Sequence, residues 1–312
     1  MGCVGISSPF EQVIPAAERP LLLIGAPLDG SGTGRGEARA PAALRQAGLA
    51  EALGAFDFGD LGIAIEDSAV DPVSGIRGYR ELLAASQTIA AATASALAAG
   101  WRPILLGGCC SILPGAMAGV RRQLGPVALV FVDGHLDLFD GDSSSTGEVA
   151  GMDLAILVGH GPLGLTALAG EPPLVDAADV IAVGDGDHER RVALRAPGPA
   201  ELAPSLRVID CHEVAARGAG PVGEEVAAQA GRGSAPFWLH VDVDVIDAAA
   251  MGAVSFPVAT GLGFESVAGL LAPLLASPRL IGATVTDYNP DLDPGGDLAA
   301  AIVELLAGAF GV

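Results

Sequence analysis

The chain has 312 residues and a formal charge of −21, from 16 basic and 37 acidic side chains. A surface this acidic repels nucleic acid and anionic membranes, which excludes both as partners, and it admits cationic small molecules. Hydrophobic residues make up 51% and aromatics only 4%, so a large core is filled by Ala, Leu, Val and Ile.

The N-terminal "MGCVGISSPFEQ" lacks the basic segment and long apolar core of a secretory signal, and Ile6 stands where a myristoylation pattern needs Ser or Thr. Four cysteines, Cys3, Cys109, Cys110 and Cys211, make no disulfide framework for this length, so reduced thiols in a cytoplasmic protein are expected. Apolar runs predict strands at 21–27, 55–60, 103–108, 127–135, 180–185, 206–210, 237–245 and 280–289. Helix-like segments fall at 36–48, 77–99, 111–124, 222–230, 264–276 and 297–310, with polar loops at 140–148 and 184–199. The uncharged stretch 82–101 is rich in Ala, Ser and Thr and reads as a buried helix rather than a membrane span. Many strand runs are continuously apolar, the pattern of strands covered on both faces. The expected fold is therefore α/β: one three-layer α/β/α domain over 1–312, with a central parallel sheet of about eight strands. Its site belongs at the carboxyl ends of the strands.

Two acidic clusters stand at such ends. In "VFVDGHLDLFD", Asp133, His135 and Asp137 alternate as the apolar run stops. In an extended chain these three share a face, and carboxylate, imidazole and carboxylate suit a divalent transition metal. In "WLHVDVDVID", Asp242 and Asp244 again share parity, and Asp247 follows. Clustered acids repel unless a cation or proton neutralises them, and together the clusters offer the carboxylates of a two-metal site. His240 shares the parity of Asp242 and reads as a core or supporting histidine rather than a ligand. The adjacent Cys109 and Cys110 in "GGCCSILPGA" are open to reading as packing residues or a metal ligand; a disulfide between neighbours is strained.

In these motifs the chain resembles the ureohydrolases: arginase, agmatinase, guanidinobutyrase and formiminoglutamase. "GAPLDGSGTGRGEARAPAALR" (25–45) is similar to their first strand and loop. "GGCCS" stands for their G-G-D-H-S, "DGHLD" for D-A-H-x-D, "HVDVDVID" for S-x-D-x-D-x-x-D, and "TDYNPDLD" for the E-[VY]-N-P segment. The resemblance implies a pair of Mn ions bridged by Asp133 and Asp242. His135 and Asp244 complete the second site, and Asp137 and position 110 serve the first. It further implies that a metal-activated hydroxide, oriented by Asp137, attacks the trigonal carbon of a guanidino or amidine compound. Asp287 would grip the guanidinium where arginase has glutamate. A homo-oligomer, trimer or hexamer, is also implied.

Departures from the pattern shape the expectation. Cys110 replaces the histidine ligand, which shifts preference from Mn toward Zn, Fe, Co or Ni, or leaves a half-filled site beside an inert thiol. Ala150 stands where arginase has a proton-shuttling histidine, with His160 and Glu148 as stand-ins. Glu148 and Thr146 fall at substrate-contacting positions, and Glu148 could attract a cationic head group. Asp187 and Glu189 match loosely a loop that contacts the amino-acid end. Ala253 and Phe256 make one wall less polar. The expected activity is hydrolysis of a C–N bond in a guanidino, substituted guanidino or amidine substrate other than plain arginine. The alternatives are a one-metal, deacetylase-like amidohydrolase using Asp133, His135 and Asp244, and a ureohydrolase-fold binding protein without turnover.

Overall fold

Among the described residues, the apolar runs become eight strands: β1 Leu21–Ala26, β2 Phe56–Asp60, β3 Arg102–Gly107, β4 Ala128–Val132, β5 Val180–Val183, β6 Arg207–Ile209, β7 Phe237–Asp242 and β8 Leu280–Thr286. They pair in the order β2-β1-β3-β8-β7-β4-β5-β6, every pair parallel. The structure is a computed structural model that describes residues 19–233 and 235–311; the N-terminal segment read above, with Cys3, lies outside the described residues.

Alternate strand residues feed two cores. Ile104, Leu106, Val130, Val132, Leu239 and Val241 pack on one face, and Leu105, Leu129, Phe131 and Trp238 on the other. Helices Ala40–Gln46, Ala219–Gln229, Phe264–Leu275 and Asp297–Phe310 cover the first face; Tyr79–Ala98, Leu113–Leu124 and Asp153–Leu157 cover the second. This is the expected three-layer arrangement. Each fully buried Leu, Val or Ile side chain contributes about 1.5–3 kcal/mol relative to exposure, which is why a sheet so poor in aromatics holds.

Several helices differ from expectation. The segment 36–48 divides into a 3₁₀ turn, Gly36–Arg39, and a helix that begins at Ala40. Pro41 is the reason, since proline lacks an N–H and fits only a first helical turn. In Tyr79–Ala98 only one face is buried, through Leu82, Ala85, Ser86, Ile89, Thr93 and Ala96; the helix is amphipathic rather than enclosed. The segment 222–230 overlaps a helix that starts earlier and ends one residue sooner, Ala219–Gln229, and helices Asp153–Leu157 and His188–Ala193 occupy stretches read as unassigned or loop. No helix among the described residues is long and apolar enough to cross a membrane.

The strands that lead to the acids also stop early. The runs predicted over 127–135, 237–245 and 280–289 end at Val132, Asp242 and Thr286. At β4 and β7 the acids themselves cause this. Asp133 Oδ1 accepts the His135 N–H at 2.6 Å, and Asp242 Oδ1 accepts the Asp244 N–H at 2.7 Å. Such local side-chain bonds compete with the sheet ladder. Apart from Asp242, the last residue of β7, the acids therefore converge from turns just beyond the strands rather than from shared strand faces.

Candidate metal centre

Strands β3, β8, β7 and β4 are consecutive neighbours in the sheet, and each releases its chain into one pocket. β3 leads to Cys110, β8 to Asp287, β7 to Asp242 and Asp244, and β4 to Asp133, His135 and Asp137. Asp137 and Asp287 both adopt positive φ, +45° and +68°, a left-handed conformation that Asp tolerates better than most residues. Strained backbone of this kind concentrates at functional sites. Gly108 lets the loop after β3 approach, because a Cβ there would lie 1.9 Å from the Leu28 carbonyl oxygen. Cys109 then seats against that loop: its N–H donates to Leu28 O at 3.0 Å and its Sγ accepts the Gly30 N–H at 3.2 Å. Cys109 and Cys110 are both free thiols.

Among the described residues, three sets of side chains each bring their donor atoms within 4.8 Å of one another: Asp133, His135 and Asp244; Cys110, Asp133, His240 and Asp242; and Cys110, Asp137 and Asp153. In the first, His135 Nδ1 is 2.9 Å from Asp244 Oδ2 and 3.7 Å from Asp133 Oδ1. In the second, the Cys110 thiol donates to Asp242 Oδ2 at 2.5 Å and approaches Asp287 Oδ2 at 2.8 Å. Thus all six residues expected as ligands come together, with Asp287 beside them. Asp247 does not join them; it caps its own turn, accepting the Ala249 N–H at 2.9 Å.

The electrostatics call for a cation. Burial pushes the carboxyls of Asp137, Asp153, Asp242 and Asp287 well above the usual range, and neighbouring acids push them further. Asp244 is raised by burial to about 6 even with His135 opposing. Burial also works to raise Asp133, but its interactions with His135 and His240 hold it at about 2. Burial disfavours the His135 imidazolium, yet Asp244 and Asp133 outweigh it and keep that proton on. Burial, then Asp242 and Asp287, drive the Cys110 thiol up. Neither oxygen of the fully buried Asp153 has a hydrogen-bond partner. Five buried carboxylates and the half-buried Asp287 around one sulfur and two imidazoles are costly without positive charge. The mixed oxygen, nitrogen and sulfur donors fit divalent metal ions.

A cleft opens over this floor, with about 740 Å³ of empty space that includes open solvent at its mouth. Its walls include Arg35, Phe139, Thr146, Glu148, Ala150, Arg190 and Phe256. Ala150 presents a methyl group where an acid or base was wanted. Neither expected stand-in supplies one. His160 is exposed, outside the pocket lining, and bonded through Nε2 to Leu202 O at 2.8 Å. Glu148 lines the cleft, but its charge is already met by Arg35 NH2. That pairing corrects the expectation of a free acid drawing a cationic head group. Thr146 lines the wall, and its Oγ1 accepts the Glu148 N–H at 3.2 Å. Asp187 lies outside the lining, with Arg190 NH1 3.5 Å from it, and the exposed Glu189 is outside as well; Arg190 and Leu194 from the same segment do line the cleft. Phe256 forms the apolar wall, with the Arg35 guanidinium 5.3 Å from its ring. Ala253 is buried away from it.

Sequence reasoning missed Asp153, Arg35 and the reach of His240. An acid heading the apolar run "DLAILV" was the available signal for Asp153. Arg35 sits in a glycine-rich loop with no distinguishing pattern. His240 was read by parity, which gives direction but not distance.

An arginase family model matches residues 19–311. The arginase of Bacillus caldovelox is 29% identical over 302 residues, covering 94% of this chain and 98% of the relative. The crystal structure of arginase from Bacillus cereus superposes with a TM-score of 0.82 at 26% identity, over 94% of this chain and 99% of the other. Formimidoylglutamase from Bacillus subtilis shares the fold at a TM-score of 0.71 and 18% identity, over 100% and 95% of the two chains.

Proposed function

Because the chain belongs to the arginase family, we propose that it is a two-metal hydrolase of a C–N bond in a guanidino, substituted guanidino or amidine compound other than plain arginine. The observation that carries the reading is the convergence of five buried acids, the half-buried Asp287, Cys110 and two imidazoles beneath an open cleft. Asp133, His135 and Asp244 are the donors for one ion, and Cys110, Asp133 and Asp242 for the other, with Asp137 beside them. Two ions bound there would supply Lewis acidity and lower the pKa of a water molecule.

The remaining roles belong to the chain itself. Asp287 lines the cleft, and the Cys110 N–H donates to its Oδ2 at 3.2 Å, which fixes the carboxylate for planar N–H donors. Asp137 faces the cleft from the β4 side and orients the attacking water. With a methyl at Ala150, no side chain on that wall delivers a proton to the leaving nitrogen. A substrate whose leaving group needs less protonation suits this pocket better than arginine. Arg35 occupies Glu148, and Arg190 stands nearby. A neutral or anionic tail therefore fits the upper cleft better than an ammonium.

The test is release of urea or ammonia from a panel of guanidines and amidines with anionic, neutral and cationic tails, each with Mn, Zn, Fe, Co or Ni supplied. Turnover of a member with an anionic or neutral tail, faster than of arginine, is expected. No turnover with any pairing overturns the proposal. Turnover at one bound ion per chain replaces it with the one-metal reading.

A further inference from the structure

His240 does more than fill the core. It is fully buried in β7 and its ring stacks on Phe131 of β4, with centroids 4.8 Å apart. Its Nδ1 pairs with Thr284 Oγ1 of β8 at 2.8 Å. These contacts from two neighbouring strands fix the ring and turn Nε2 toward the acids. There it meets Cys110 Sγ at 3.6 Å and Asp133 Oδ2 at 3.7 Å. The carboxylate lies beyond hydrogen-bond length, so the one hydrogen bond recorded at Nε2 is the long contact with the sulfur. One ring nitrogen tied to a fixed partner and the other aimed at thiol and carboxylate is how ligating histidines are held.

The distances have a definite shape. In a tetrahedral zinc site, neighbouring O, N and S donors stand about 3.3–3.8 Å apart. Here Sγ to Nε2 is 3.6 Å, Nε2 to Asp133 Oδ2 is 3.7 Å, and Sγ to Asp133 Oδ2 is 4.0 Å. The Sγ to Asp242 edge is shorter, 2.5 Å, where the thiol donates its hydrogen bond. A separate observation points to a cation at the same sulfur. Asp153 is fully buried with both oxygens unpartnered, and it groups with Cys110 and Asp137.

We propose that His240 is a direct metal ligand and that Cys110, Asp133, His240 and Asp242 form a four-coordinate site for a thiophilic divalent cation, beside the oxygen-rich Asp133, His135 and Asp244 site. The assignment deepens the reading as a metal-dependent hydrolase and rests on it. Because zinc outcompetes manganese at almost any such donor set, relative affinity alone does not test it; coordination geometry does.

The probe is cobalt(II), titrated into the metal-stripped full chain and followed by absorption. A four-coordinate thiolate site gives intense d–d bands and a sulfur-to-cobalt charge-transfer band, and a six-coordinate oxygen site gives weak bands and no charge transfer. Wild type is expected to show the intense bands and the charge transfer. Cys110→Ser should abolish the charge transfer. His240→Ala should weaken the d–d bands and reduce affinity for the thiolate-bound ion by more than about 100-fold. Loss of a supporting partner costs roughly 10–100-fold, so Thr284→Val should fall in that range with the spectrum kept. The proposal fails if wild type gives only weak bands without charge transfer, a result that does not depend on any variant folding. It fails equally if His240→Ala matches wild type in spectrum and affinity. None of these readouts is turnover. A chain that binds cobalt as expected but hydrolyses nothing overturns the proposed function alone, and an active chain indifferent to His240→Ala overturns this assignment alone.

Discussion

Replacing Arg35 by alanine separates two readings of the cleft wall. Arg35 is the cation shared by Glu148, Asp29 at 3.5 Å and Glu37 at 3.7 Å. Those carboxylates are 8%, 5% and 1% exposed, while the Arg35 side chain is 27% exposed. Removing one partner of a fully buried pair costs about 3–5 kcal/mol, whereas an exposed pair is worth about 0–1 kcal/mol. With the acids enclosed and the cation partly open, Arg35→Ala should destabilise the chain by about 2–4 kcal/mol. At about 2.1 cal/mol/K of unfolding entropy per residue, that lowers Tm by roughly 3–6 °C. Burial already holds the Glu148 carboxyl above its ordinary value, with Arg35 opposing, so losing Arg35 raises it further. A raised acid keeps, in the folded chain, a proton that the unfolded chain releases above about pH 4.5. The deficit of Arg35→Ala should therefore grow as pH rises from 5 toward 8. The assay is a double-mutant cycle of thermal or urea melts on wild type, Arg35→Ala, Glu148→Gln and the double variant. The double variant should recover part of the loss, with a coupling of about 1–3 kcal/mol. A coupling below about 0.5 kcal/mol would refute the reasoning. So would a Glu148→Gln chain of unchanged stability that binds cationic guanidines less well, because Glu148 would then be serving substrate rather than Arg35.

The metal-stripped protein should lose stability as pH rises from about 4 to 7, because Asp137, Asp242, Asp244 and Asp287 hold protons in the folded chain that the unfolded chain has released; Tm against pH tests this, and a stripped chain that gains stability over that range contradicts it. Asp153→Ala removes two unpartnered buried oxygens, each worth about 1–3 kcal/mol of unmet desolvation if left unpaired. It should raise the melting temperature of the stripped chain while weakening ion binding, and a simple loss of stability in both forms would mark Asp153 as structural. Asp287→Asn should lower kcat/KM by about 100–1,000-fold, the scale of losing one charged group aimed at the reacting centre, with the cobalt(II) spectrum unchanged.

The fold was readable because its determinants are local and repeated. Continuous apolar runs such as "PILLGG" and "VALVFV" admit few arrangements other than strands covered on both faces, and eight of them alternating with helical segments leave a parallel sheet. The acids were readable for a related reason: carboxylates at the ends of such runs are expensive unless something compensates them. The route by which they meet was not readable. Strand parity brought Asp133, His135 and Asp137 onto one face, yet the strand ends at Val132 and the convergence comes from side chains that seize the next backbone N–H groups and from an Asp137 at φ +45°. Partners distant in sequence were the least legible. Glu148 looked like a free acid because Arg35 is 113 residues away. Cys110 looked like a lost imidazole because His240 is 130 residues away and reaches the sulfur only through the neighbouring order β3-β8-β7-β4. A motif compared position by position registers a histidine missing from the loop after β3 and an unrelated histidine in β7. The sheet brings both positions to one cluster, where an imidazole nitrogen faces the thiol that stands in the histidine's place. Substitution in the motif is then a change in which strand carries the nitrogen, and the chemistry of the site follows the donor atoms assembled there rather than the letters of the motif.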